Sequence, residues 1–301
     1  MILDKRWVWT LAVLLMAGCG RSSQTTPQAQ SSAKPIIVAT TSTLASLVKT
    51  VAGDRMDVHS LVPIGASPET YEPSPSDLVA LSNAAVVVEN GSGLELWLSK
   101  LLENAKNARI VVLADALPAQ IGHPAGAQFA NPHFWLDPHY AAIYVGAIAS
   151  ALSAVDPPNA SFYRSNALVE QRKLAALDVW TVKQIATIPV DQRAMIADHD
   201  AWYYFDRRYG IEDVGAIERF PGTEPSASDL AALIAQAKAH HVRAIFAEPE
   251  FSPRLARQLA DSAGITTVTD LYDDSLGTTP ELSTYEGMMH HDVNAIVQAL
   301  R

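Results

Sequence analysis

The chain has a single cysteine, Cys19, in 301 residues. With no second thiol, no disulfide framework holds the fold. Basic charge is scarce as well: 22 Lys and Arg stand against 32 Asp and Glu, a net −10. Phosphate backbones demand a basic face, so a nucleic-acid partner is excluded, while a cationic ligand is not. Charged residues make up only 18% and apolar ones 49%, a globular composition rather than a disordered one. No HExxH string occurs, which removes the helical zinc-peptidase motif. The apolar run "WVWTLAVLLMAGC" after Lys5 and Arg6 is too short to span a bilayer.

That run fits an export signal over residues 1–18. Small residues precede Cys19, and "LMAGC" resembles a bacterial lipoprotein signal, with cleavage leaving Cys19 as a lipid-bearing N-terminus. The plainer alternative is an ordinary signal peptide with a spare thiol; the missing disulfide partner favours lipidation. Residues 19–34 carry no sizeable apolar side chain past Cys19 and read as a flexible tether.

From Pro35 on, apolar runs alternate with helix-period segments. Strands are expected at 35–41, 56–63, 85–91 and 108–116, with helices at 42–53, 74–84 and 94–107 between them. Only helix is expected from 138 to 188, including a run of about thirty residues, 158–187, without Gly or Pro after its start. At 1.5 Å per residue that helix is about 45 Å long, a strut between two lobes. Strands resume at 193–198, 211–217, 242–248 and 265–272, each followed by a helix. The fold class is therefore α/β: two lobes, each a mostly parallel sheet flanked by helices, bridged by one long helix. The expected lobes are 35–155 and 189–301, with 156–188 between them.

One loop stands out. In "GASPETYEPSPSD", residues 65–77, with Pro63 just upstream, four prolines fence Glu69 and Tyr71. Each proline fixes its own φ and restricts the residue before it, so the loop is stiff and holds one carboxylate in place. In open α/β sheets, ligands sit beyond the carboxyl ends of the strands. The ionisable groups there are Glu69, His133 in "NPHFWLDPHY", His199 in "IADHDAWYYF", and Asp273 and Asp274 in "LYDDSLG". Two imidazoles and two carboxylates make a complete set for a divalent transition metal, and the carboxylates cancel its charge.

These strings carry a resemblance. "VPIGASPETYEPSPSD", "NPHFWLDP", "HDAWYYFDRRYG", "GTEPSASDL", "IFAEPEFSPRLA" and "DDSLG" followed by "TYEGMM" are similar, in order and spacing, to the zinc/manganese substrate-binding lipoproteins of bacterial ABC importers. The resemblance covers nearly everything from Cys19 to Arg301. It implies two α/β lobes on a long helix, with a metal ion captured between them for a membrane permease. His133, His199 and Asp274 match metal positions of that family. The His199 position is histidine in zinc members and often glutamate in manganese members. Glu69 stands where the family usually has histidine in a "DPHxYEP" element. It is read as a ligand by substitution, the alternative being three protein ligands plus water. Many zinc-importing members carry a histidine-rich stretch before the position of Phe134; here "PAQIGHPAGAQFA" holds only His123.

The expected cargo is one Zn²⁺ per chain, with Mn²⁺ as the alternative. The expected partner is an ABC permease, and the expected state is an exported monomer anchored through Cys19, facing the periplasm or the cell exterior. His139, Asp200 and Glu248 are read as groups that would orient or flank a ligand, and Asp273 as the fallback for Asp274. His240–His241 and His290–His291 are helical neighbours that point apart and chelate poorly. Two other readings stay open. A metallohydrolase would need an open position and a base, a part Glu69 could take if it is not a ligand. A surface adhesin would hold a purely structural metal.

Overall fold

Runs of aliphatic residues make the strands. Val86, Val87 and Val88 have no exposed surface, nor do Ile37 and Val38, as expected of parallel strands covered on both faces. The computed structural model describes residues 34–118 and 129–301; the leader, Cys19, the tether to residue 33 and His123 lie outside them. The first half runs β1 (Ile36–Ala39), α1 (Ser42–Ala52), β2 (Asp57–Ser60), α2 (Pro75–Asn83), β3 (Val86–Glu89), α3 (Leu98–Leu101) and β4 (Arg109–Val112). Two long helices follow, α4 (Pro138–Val155) and α5 (Ala160–Ile185). The second half runs β5 (Ala194–His199), α6 (Tyr203–Tyr209), β6 (Glu212–Glu218), α7 (Ala227–Ala239), β7 (Ala244–Phe246), α8 (Arg254–Ala263), β8 (Thr266–Val268) and α9 (Tyr285–Leu300).

Each half builds a four-stranded parallel sheet, in the orders β2-β1-β3-β4 and β6-β5-β7-β8. The chain steps to one side of its first strand and then crosses to the other, twice, in the same order. That reversal opens a crevice at the carboxyl ends of both sheets.

The long helix covers 26 residues, about 39 Å. Asp156 and a 3₁₀ turn at Pro157–Asn159 delay its start. Tyr163, Ala167, Glu170, Leu174, Leu177, Thr181 and Ile185 form its buried stripe, at helical spacing. It packs on α1 and α4 of one half and on α6 and α9 of the other. The main core is continuous across both halves, from Ile37 and Val48 through Tyr144 and Leu174 to Phe205, Phe246 and Ile296.

Local chemistry explains the element ends. Ser74 caps α2: Asp77 accepts from the Ser74 N–H (2.6 Å) and hydroxyl (2.9 Å), with Pro75 in the first turn. Residues 94–107 do not form the expected helix; one α turn is followed by a 3₁₀ turn at Leu102–Asn104. Glu95 turns back to accept from Thr40 Oγ1 (2.6 Å), Asn90 N (2.8 Å) and Gly91 N (3.0 Å), and Gly91, Ser92 and Gly93 all have positive φ. These bonds tie the segment to the end of β1 and hold its start out of helical geometry. β4 is likewise shorter than expected, giving way to a 3₁₀ turn at Leu113–Ala116.

Candidate metal centre

The proline-fenced loop is held from three sides. Trp97 Nε1 donates to the Pro68 carbonyl (2.7 Å), and Tyr71 donates to Asp77 (2.9 Å) and meets Trp97 edge-on. Gly65, at φ +84°, donates its N–H to Ser275 Oγ (2.8 Å) across the crevice. The loop delivers Glu69 into the crevice with its side chain 19% exposed.

His133 stands just before a tight 3₁₀ turn at Phe134–Leu136, as its N-cap, and is buried. Its Nδ1 and its backbone N–H both face Asn131 Oδ1, at 2.9 and 3.1 Å. Asn131 Nδ2 donates to the Asp200 carbonyl (2.6 Å), which fixes the amide orientation. Its oxygen can only accept, so the His133 proton sits on Nδ1 and Nε2 carries a lone pair.

His199 ends β5 and is equally buried. Its Nδ1 lies 2.8 Å from both Glu248 carboxylate oxygens. A proton on Nδ1 directed at the Glu248 carboxylate leaves Nε2 with a lone pair, as at His133. Burial alone would lower the His199 imidazole, but Asp273, Asp274 and Glu69 lift it above its usual value. Burial pushes Glu248 well above the carboxylate range, against the lowering effect of its bond to Asp273, and burial, then Glu248, push Asp273 well above it too.

The two Nε2 atoms face each other at 3.1 Å. His133 Nε2 is also 3.4 Å from Glu69 Oε1 and 3.4 Å from Asp274 Oδ1. One donor atom each from Glu69, His133 and His199 falls within a 4.8 Å group. Asp274 Oδ1 is buried and, among the described residues, has no hydrogen-bond partner. Burial raises the Asp274 carboxyl, but His133, His199 and Ser67 outweigh it and leave the group below its usual value. Burial raises Glu69, opposed by His133. Donors 2.0–2.2 Å from one centre stand about 3.3–3.6 Å apart at tetrahedral corners and about 2.8–3.1 Å apart at octahedral ones. Separations of 3.1 and 3.4 Å fall in these ranges, so the residues present fit one small cation.

The structure thus brings Glu69, His133 and His199 into one group and sets Asp274 Oδ1 beside it, 3.4 Å from His133 Nε2. Asp273 points to the other side: its Oδ1 accepts from Asp274 N (2.6 Å) and its Oδ2 lies 3.8 Å from His199 Nδ1, grouped with Glu248. Glu248 lies against His199, both of its carboxylate oxygens 2.8 Å from Nδ1. Asp200 contributes its backbone carbonyl, through Asn131, rather than its side chain. His139 is exposed on the first turn of α4, its N–H on Asp137 (2.8 Å), and is not part of the cluster. The paired histidines stay outside too: His240 bonds Glu212 at 2.8 Å, His290 packs on Trp180, and His291 bonds the Asp270 carbonyl at 2.9 Å.

Sequence reasoning missed Asn131, Ser67, Glu250 and the anchoring of the Asp274 loop. Both Glu250 oxygens are buried with no hydrogen-bond partner among the described residues, and burial, then Asp274, push that carboxyl up to about 7. Leu276 N donates to Ser42 Oγ (2.9 Å), Tyr285 N to Ser46 Oγ (3.0 Å) and Trp135 Nε1 to the Asp273 carbonyl (2.7 Å). Tyr272 N, at the start of the loop, donates to the buried Asp292 (3.0 Å). The only sequence signal was the placement of Asn131 two residues before His133; the serines gave none.

Comparison with known proteins places the chain in a family. The profile of the ZnuA family, described as zinc-uptake complex component A, periplasmic, matches residues 37–299. The manganese-binding lipoprotein MntA of Halalkalibacterium halodurans is 32% identical over 298 residues, covering 98% of this chain and 97% of that protein. The iron ABC transporter substrate-binding lipoprotein MtsA of Streptococcus pyogenes serotype M1 is 30% identical over 299 residues, 96% of each chain. Among solved structures, the periplasmic zinc-binding protein TroA from Treponema pallidum superposes with a TM-score of 0.83 at 26% identity, over 89% of this chain and 99% of that one. An Mn-bound periplasmic metal-binding protein from Candidatus Liberibacter asiaticus gives 0.80 at 26% identity, over 89% and 100%.

Proposed function

The chain belongs to the ZnuA family of metal-binding, substrate-binding components of ABC importers, and from that premise we propose that it captures one Mn²⁺ between its lobes and delivers it to a membrane permease. The ligands are Glu69, His133 Nε2, His199 Nε2 and Asp274 Oδ1. The observation that carries this is the pair of facing Nε2 atoms, 3.1 Å apart, with two carboxylates 3.4 Å away.

Zinc was the expectation from two histidines. Two carboxylates, with Glu69 free to offer both oxygens, favour a harder ion that takes more ligands. Relatives named for manganese support that reading. The third family position, often glutamate in manganese members, is His199 here, and the carboxylate sits at Glu69 instead. The count of two imidazoles and two carboxylates is kept while their places are exchanged. Zn²⁺ binds more tightly in vitro whichever ion is carried, by the Irving–Williams order.

Capture follows from burial. Glu69 is the one ligand with appreciable exposure, so the ion arrives and leaves past its carboxylate. The two carboxylates neutralise the dication as water is stripped from it. The family's members are carriers rather than enzymes. A lipid on Cys19 anchors the chain outside the cytoplasm. The proposed lobes are 35–155 and 189–301, with 156–188 between them, in a monomer.

The test is competitive titration of the metal-free protein with Mn²⁺ and Zn²⁺, alongside metal analysis. One ion per chain is expected. Glu69→Ala should weaken Mn²⁺ binding by more than the ~100-fold that losing an outer partner costs. Glu69→His should raise zinc affinity relative to manganese. Unchanged binding in Glu69→Ala would remove this residue from the site.

A further inference from the structure

We propose that Ser67 is a specificity-determining positioning residue, which holds Asp274 as a one-oxygen ligand and so limits the size of ion the site accepts. This rests on the reading of the four-residue cluster as the metal centre.

Ser67 is 6% exposed, two residues before Glu69. Its hydroxyl oxygen accepts from the Glu69 backbone N–H (3.3 Å) and lies 3.1 Å from Asp274 Oδ2. An N–H can only donate and an ionised carboxylate can only accept, so the Ser67 proton points at Asp274. The two oxygens of Asp274 are thereby made unequal. Oδ2 is occupied by Ser67, while Oδ1 is buried, lacks a hydrogen-bond partner among the described residues and lies 3.4 Å from His133 Nε2. One small side chain therefore joins a loop of the first half to the aspartate loop of the second and settles how that aspartate presents itself.

The consequence is a cap on coordination number. With Asp274 limited to Oδ1, the protein offers two nitrogens, one aspartate oxygen and one or two oxygens from Glu69. Four donors suit Zn²⁺, and five still serve Mn²⁺. Ca²⁺ takes six to eight oxygens, many from bidentate carboxylates, and is left short. Removing the hydroxyl frees Oδ2, lets Asp274 swing to bidentate binding and adds one oxygen.

The experiment measures Zn²⁺, Mn²⁺ and Ca²⁺ affinities of the whole protein and of its Ser67→Ala, Ser67→Gly and Ser67→Thr variants. In Ser67→Ala the affinities of Ca²⁺ and Mn²⁺ relative to Zn²⁺ should rise, calcium most, by about tenfold, and Ser67→Thr should restore the original ratios. Manganese-edge X-ray absorption should count one more oxygen in Ser67→Ala. A merely structural role would weaken all three ions together and leave the ratios alone. Unchanged ratios in both hydroxyl-free variants overturn the proposal, and Ser67→Gly decides it if Ser67→Ala folds poorly. A parent protein that binds no Zn²⁺ or Mn²⁺ would instead defeat the metal-centre reading.

Discussion

His133 and His199 expose the same atom to the ion but lean on different supports, a neutral amide at Asn131 and a buried carboxylate at Glu248. Loss of either support frees a ring to rotate and leaves a buried N–H without an acceptor. Asn131→Ala is expected to cost ~10–100-fold in metal affinity with the fold intact, measured by titration and circular dichroism. Unaltered affinity would mean that packing alone aims His133. Both histidines were legible in the sequence because each sits in a short aromatic string, His199 at the end of β5 and His133 in the segment after β4. Asn131 and Ser67 were not, since each acts through one hydrogen bond, and the Ser67 bond joins residues 207 apart in sequence.

At the scale of elements, the carboxyl end of β3 carries a charge problem. Burial, then Glu95 and Asp115, push Glu89 up to about 7 from an ordinary 4.5. A folded pKa above the unfolded one means the native state binds the proton more tightly. The stability this contributes is full below about pH 4.5 and is lost as pH rises through about 7. Glu89→Gln should therefore flatten the melting temperature between these pH values and melt above the parent at pH 8. A parallel pH profile for the two proteins would refute this. At the end of α1, Gly53 has φ +56°, and an added Cβ would lie 2.9 Å from Phe162 Cζ on α5. Gly53→Ala should cost about 1–3 kcal/mol in chemical denaturation, through backbone strain and a displaced ring. The alternation of strands and helices was readable because periodicity and glycine caps are local. The collapse of 94–107 was not, because a partner on β1's end, Thr40, captures Glu95.

For the whole molecule, the repeated strand order of the two sheets left no repeat in the sequence. A sheet core needs apolar volume in the right places rather than particular residues, so one topology can be filled by unrelated strings. The halves share one continuous core and one long helix, and the Asp274 loop is fastened to α1 by Ser42 and Ser46. The metal-free protein should therefore unfold in a single calorimetric transition. Mn²⁺ at 100 times its Kd should stabilise it by about 2.7 kcal/mol. Two separated transitions would show that the halves unfold independently.

The most direct test is anomalous diffraction from crystals grown with Mn²⁺ or Zn²⁺. The account predicts one strong peak in the crevice, within about 2.0–2.2 Å of Glu69, His133 Nε2, His199 Nε2 and Asp274 Oδ1 when zinc is used. A peak only at surface histidines such as His240 or His290, with the crevice bare, would contradict it.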